Sequence, residues 1–170
     1  MLDPSAHQGT AVPLYTPEQK HRRDTTRWTV VQGVLAPLQF LVFLVSVVLI
    51  ARFLVTGEGL FAADLSIIVK TAVLYTIMVT GAIWEKVVFG QYLFARAFFW
   101  EDVFSILVLA LHTAYLLATF GGWLAPSGLM WLALSAYAAY VINAGQFIWK
   151  LRLARLQSSK MALSHDVGLA

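Results

Sequence analysis

Four stretches of almost unbroken apolar residues, at 28–51, 65–84, 103–124 and 129–149, divide the chain, and the polar residues gather in short clusters between them. Each stretch is near the 20 or so residues that a helix needs to cross about 30 Å of hydrocarbon. The pattern predicts an all-α, polytopic membrane protein, a four-transmembrane-helix bundle forming a single domain over 28–149. Residues 1–27, with prolines and a mixed charged run, read as a tail that turns helical at most near Thr16-Pro17-Glu18, where Thr caps and Pro suits the first turn. Residues 150–170 read as a basic extension with a loose end. Gly121-Gly122 closes the third stretch, and Ala125-Pro126-Ser127-Gly128 makes the turn into the fourth, which predicts a tight antiparallel pair.

The lysines and arginines give the bundle a direction. Lys20, Arg22, Arg23 and Arg27 precede the first span, Lys86 and Arg96 lie between the second and third, and Lys150, Arg152, Arg155 and Lys160 follow the fourth. The connections at 56–64 and 126–128 carry none, so both termini and the 84–102 connection are predicted to be cytoplasmic. A long polar tail with no small-residue cleavage site marks the first span as an anchor instead of a removed signal. Composition agrees, with 59% hydrophobic and 12% charged residues, about half the charge of an ordinary soluble domain. No cysteine is present among the 170 residues, which removes thiolate nucleophiles, disulfides and iron-sulfur clusters. The net charge of +3 flanks the apolar segments without forming a patch, so nucleic acid is not an expected partner.

Candidate chemistry concentrates between Trp84 and Asp102. Glu85, Glu101 and Asp102 fall at the ends of the second and third spans, where they either mark a solvated helix boundary or form an acid in an aromatic setting. Aromatics at Phe89, Tyr92, Phe94, Phe98, Phe99 and Trp100 surround them, together with Lys86 and Arg96. His112 lies inside the third span, and Glu101, Ser105, Val108 and His112 fall on one helical stripe leading inward. An intramembrane imidazole reads as a ligand or catalytic group, or as a partner of Asn143 or Gln146 on the fourth span. A single histidine is weak ground for a metal held by the protein alone. Lys70, six residues inside Asp64, is expected to snorkel outward or to pair with Asp64 or Glu58. Gln32, Gly33, Pro37 and Gln39 invite a kink in the first span. No phosphate loop, paired-histidine zinc helix, nucleophile elbow or dinucleotide fingerprint occurs, which leaves proton transfer or hydration as the available chemistry.

Five runs carry more specific information: LYTPEQ at 14–19, VQGVLAPLQF at 31–40, IWEKVVFG at 83–90, FFWED at 98–102 and YVINAGQF at 140–147. Over residues 14 to about 156 the chain resembles the vinyl bacteriochlorophyllide hydratases of purple phototrophic bacteria. The resemblance implies a hydro-lyase of bacteriochlorophyll biosynthesis in the bacterial inner membrane. Its reaction adds water to the C3 vinyl group of chlorophyllide a or 3-vinyl bacteriochlorophyllide a, giving a 1-hydroxyethyl group. It implies a magnesium tetrapyrrole as substrate and no separate cofactor, because the magnesium arrives with the pigment. Membrane lipid and other enzymes of the pathway are the further partners it suggests.

The residues then acquire expected roles. A protonated carboxyl protonates the terminal vinyl carbon, and its conjugate base positions the water; Glu101 is the first choice, with Glu85 and Asp102 beside it. Tyr92, Phe98, Phe99 and Trp100 stack on the macrocycle, Lys86 or Arg96 holds the propionate, and Asn143 and Gln146 line the site. His112 is the expected axial ligand to the substrate magnesium, or orients water. A non-catalytic tetrapyrrole carrier or assembly factor would need the same pocket without the acid. A proton-coupled transporter using Lys70, His112 and Asn143 is the remaining alternative, without evident repeat symmetry or broken helices to support it.

Overall fold

The computed structural model describes residues 14–167, with side chains to residue 156. The tail before residue 14, the Lys160 side chain and the last three residues lie outside that description. Five helices follow in order: α1 (Pro17–Thr25), α2 (Arg27–Thr56), α3 (Leu60–Phe89), α4 (Phe99–Gly121) and α5 (Pro126–Val167). Four of them, α2 to α5, are long and apolar enough to cross a membrane, and the chain is a multi-pass, all-helical membrane protein.

Local chemistry sets the helix ends. Thr16 accepts from the Gln19 amide while the Gln19 side chain accepts from the Thr16 amide, a complete capping box for α1. Thr26 then caps α2 with no intervening loop. Gly57 and Gly59, both left-handed at φ 73° and 83°, turn α2 into α3 within three residues, a path with little steric cost only for glycine. Gly122 ends α4 in the same conformation, with the Trp123 amide reaching back to the Ala118 carbonyl. The third span therefore stops at Gly121, and Trp123 and Leu124, expected inside it, lie beyond its end. The other helices overrun their apolar stretches. Instead of a loose extension after residue 150, α5 continues to Val167. At 30 residues, α2 and α3 rise about 45 Å each, so their ends stand in the headgroup layers. No break interrupts α2 at Pro37.

α2 packs on α3 and α4 on α5, giving two antiparallel hairpins that meet along a common core. Ile50, Ala63, Ile67, Tyr115, Met130, Ala133, Ala136 and Tyr137 fill it. Alanine at four of its positions, 63, 118, 133 and 136, lets helix backbones approach closely, which is how helices associate where lipid is as apolar as leucine. The outward faces carry exposed Val, Leu, Phe and Trp side chains such as Val48, Phe61 and Phe120, as lipid contact requires. α1 lies against the α3 end of the bundle, where Tyr15 stacks on Phe89 at 5.7 Å.

Candidate active site

The connection between α3 and α4 is fastened by carboxyl groups. Phe94 donates its amide to Asp102 Oδ2 at 2.7 Å and Ala95 donates to Glu85 Oε2 at 3.4 Å. Phe94 itself sits at φ 60°, a left-handed conformation that bulky residues rarely adopt, and these two bonds hold it there. Glu85, Glu101 and Asp102 are all buried, at 5%, 6% and 3% exposure. A solvated helix boundary is thereby excluded.

Their charges are handled differently. Glu101 accepts from Lys150 Nζ at 2.5 Å, and the same ammonium donates to the Ala97 carbonyl. Glu85 and Asp102 accept from the amides of two consecutive residues, Ala95 and Phe94, which sets the two buried carboxyls side by side. Two adjacent buried negative charges repel, so such a pair is least costly when it keeps one shared proton. Of the three carboxyls, Glu101 is matched by a lysine, while Glu85 and Asp102 hold backbone amides.

The aromatic residues divide into two groups. Phe98 is 2% exposed, and Trp84, Phe89, Tyr15 and Phe147 all pack around it with ring centroids 5.7 to 6.4 Å away. It serves as packing, not as the pigment-stacking surface expected of it. Tyr92, Phe99 and Trp100, by contrast, are exposed, as is Arg96. Lys86 donates to the Gly90 carbonyl at 2.8 Å and stands over the Tyr92 ring; it caps the end of α3.

Deeper in the bundle, the stripe from Glu101 through Ser105 and Val108 to His112 is buried along its whole length. His112 Nδ1 donates to the Val108 carbonyl at 2.8 Å. A carbonyl only accepts, so Nε2 is bare and accepts from Lys70 Nζ at 3.2 Å. Both ring nitrogens are engaged and the residue has no exposed surface. The partners of His112 are therefore Val108 and Lys70, and not the Asn143 or Gln146 expected for it. Lys70 likewise does not snorkel or pair with Asp64 or Glu58: it is wholly buried, with its ammonium over the rings of Tyr140 at 4.1 Å and Tyr137 at 5.0 Å. Asp64 instead accepts from Tyr115 at 2.7 Å, and Tyr137 bonds Ser46 at 2.6 Å. Asn143 donates to Ser105 Oγ at 2.8 Å.

Two residues escaped the sequence reading. Lys150 counted only toward orientation, although its place one turn beyond Gln146 on the inward face of α5 was available as a signal. Gln39 counted only as part of a kink, yet it is 1% exposed. A groove of about 620 Å³ between α2 and α3, lined by Arg27, Val30, Val34, Thr76 and Thr80, opens on a different face of α3. Glu85 is about 140° around the helix from Thr80.

Four helices able to span a membrane, with three buried carboxyls at one junction, define the class as a polytopic membrane protein with a buried acidic cluster. Comparison with known proteins makes the class specific. The profile of the 2-vinyl bacteriochlorophyllide hydratase family matches residues 15–153. A 2-vinyl bacteriochlorophyllide hydratase of Rhodobacter capsulatus is 68% identical over 156 residues, covering 91% of this chain and 88% of its own. Another, from Cereibacter sphaeroides, is 72% identical over 144 residues, covering 84% and 89%. The chain belongs to the 2-vinyl bacteriochlorophyllide hydratase family. No solved structure matches it.

Proposed function

We propose that this chain adds water to the C3 vinyl group of chlorophyllide a or 3-vinyl bacteriochlorophyllide a, with the Glu85 and Asp102 pair as the acid. The family membership supports the reaction, and the buried, side-by-side carboxyl pair is the observation that carries the assignment of the acid. The shared proton moves to the terminal vinyl carbon as the vinyl π bond breaks, leaving a cation delocalised into the macrocycle. Water oxygen bonds to the inner carbon, and its surplus proton returns to the carboxylate. Electrons and protons balance without an oxidant or reductant, so no redox cofactor is called for, and magnesium enters with the pigment.

Tyr92, Phe99 and Trp100 present exposed rings on the α3 to α4 side, where the flat macrocycle is to dock from the lipid boundary. Exposed Arg96 is the remaining basic group of that connection for the propionate, since Lys86 is turned to its own helix end. The termini and this connection face the cytoplasm of the bacterial inner membrane by the distribution of basic residues. Other enzymes of the pathway are the suppliers and consumers of so poorly soluble a pigment.

The test is incubation of purified protein with the vinyl pigment, followed by mass analysis. A gain of one water supports the hydratase, whereas recovery of unaltered bound pigment would make the chain a carrier. Glu85→Gln and Asp102→Asn should then retain bound pigment without converting it.

A further inference from the structure

The core of the bundle contains amides that the chain itself leaves without partners. Gln39 is 1% exposed, and neither its Oε1 nor its Nε2 meets a hydrogen-bonding group. Asn143 gives Nδ2 to Ser105, but its Oδ1 has no partner, and Gln146 Oε1 is in the same condition. Buried polar groups are rarely left so, because each forfeits its hydration without compensation.

These residues belong to one layer. Gln39, Phe43, Ser46 and Ile50 form the buried stripe of α2. Phe43 meets Tyr140 at 5.2 Å and Ser46 meets Tyr137 at 2.6 Å, so α2 and α5 run antiparallel in a defined register. One turn toward the start of α2 is one turn further along α5, which brings Gln39 level with Asn143 and Ala144. Ser105 joins that level through Asn143. Asp102, three residues before Ser105, lies only about 4.5 Å away along the helix axis.

The donors and acceptors on offer restrict what belongs there. At the level of Gln39 and Asn143 two amide oxygens, Gln39 Oε1 and Asn143 Oδ1, need donors, and one amide nitrogen, Gln39 Nε2, needs an acceptor. A carboxylate or keto oxygen only accepts, and a cation would leave the Gln39 amide nitrogen without an acceptor. Water donates twice and accepts. We propose that Gln39 and Asn143 bind the water that becomes the new hydroxyl group, one turn inside the Glu85 and Asp102 pair. This rests on the hydratase reading. The proton comes from the mouth of the bundle, while the water oxygen approaches from its interior, bonds to the inner vinyl carbon and releases its proton to the carboxylate that donated first.

Full-length protein in lipid nanodiscs tests this with Gln39→Leu, and with Gln39→Asn in case the leucine variant fails to fold. Infrared spectra in H₂¹⁶O and H₂¹⁸O report internal water as shifted O–H stretching bands, absorbance titration reports pigment affinity, and product mass reports turnover. The proposal expects an isotope-sensitive band lost in Gln39→Leu, turnover down at least about tenfold, and pigment affinity within about twofold of wild type. Gln39→Asn should fall between the two. An unchanged band, unchanged turnover, or loss of pigment affinity in step with turnover would overturn it. If the wild type itself returned vinyl pigment unaltered while the band still depended on Gln39, the hydratase reading and the reactant role would fall together, leaving only a water site.

Discussion

The two buried ionic clusters of this bundle resolve their charge in opposite ways. At the α3 to α4 junction, three carboxyls face one nearby ammonium, and two of them also hold backbone amides of a left-handed turn. Deeper in the bundle, one lysine meets an imidazole and two aromatic rings. The junction holds three buried carboxyls and matches only Glu101 with a lysine, which is why the proposed acid is placed there. In the interior cluster both ring nitrogens of His112 are already engaged, by Val108 and Lys70. Buried ionisable groups in a membrane protein are costly in either place, and the reading proposed above gives the chemistry to the first.

That contrast breaks most sharply at the carboxyl pair. Asp102→Asn and Glu85→Gln should each lower turnover by about 100-fold or more, with pigment affinity retained by absorbance titration. Wild-type turnover in both would remove the pair from the chemistry. At the interior cluster the large effect should be on stability. His112→Leu leaves Lys70 without its acceptor and should cost about 1 to 3 kcal/mol in thermal unfolding in detergent. The double variant Lys70→Met with His112→Leu should recover most of that loss, because a packed apolar pair replaces a buried polar one. If the double variant folds well but loses all turnover, the interior cluster has a chemical role after all.

A smaller effect separates the carboxyls from one another. Glu101→Gln should lower turnover by less than about tenfold, since its charge is already matched by Lys150; a loss equal to that of Asp102→Asn would restore Glu101 as the acid. Smallest of all is Tyr75→Phe, which removes the exposed 2.6 Å bond to Thr113, the residue after His112. It should cost about 0.6 kcal/mol, the usual worth of an interhelical bond in a membrane, and leave turnover unchanged.

Much of the architecture was legible beforehand. Apolar length located α2 to α5, Thr16 and Pro17 marked where the tail could turn helical, and glycines 121 and 122 marked the close of α4, because each of these signals acts within a few residues. The inward stripe from Glu101 to His112 was also legible, since helical periodicity alone puts those side chains on one face. What they face was not. The lysine at position 70 reads as a snorkelling residue until α4 places His112 beside it, and Glu101 reads as the best acid until α5 brings Lys150 to it.

By itself, then, the sequence determined which four segments are able to cross the membrane and that the stripe from Glu101 to His112 shares one helix face. Composition, spacing and capping are local properties, and a helix in lipid satisfies its own backbone without help from its neighbours. Only the tertiary structure decided which inward-facing groups neutralise one another. It joined Glu101 to Lys150, Lys70 to His112 and Asn143 to Ser105, left Glu85 and Asp102 side by side, and left Gln39 without a partner. Those pairings join residues 38 to 49 positions apart, and they depend on the register of helices packed by shape, which no periodicity within one helix encodes.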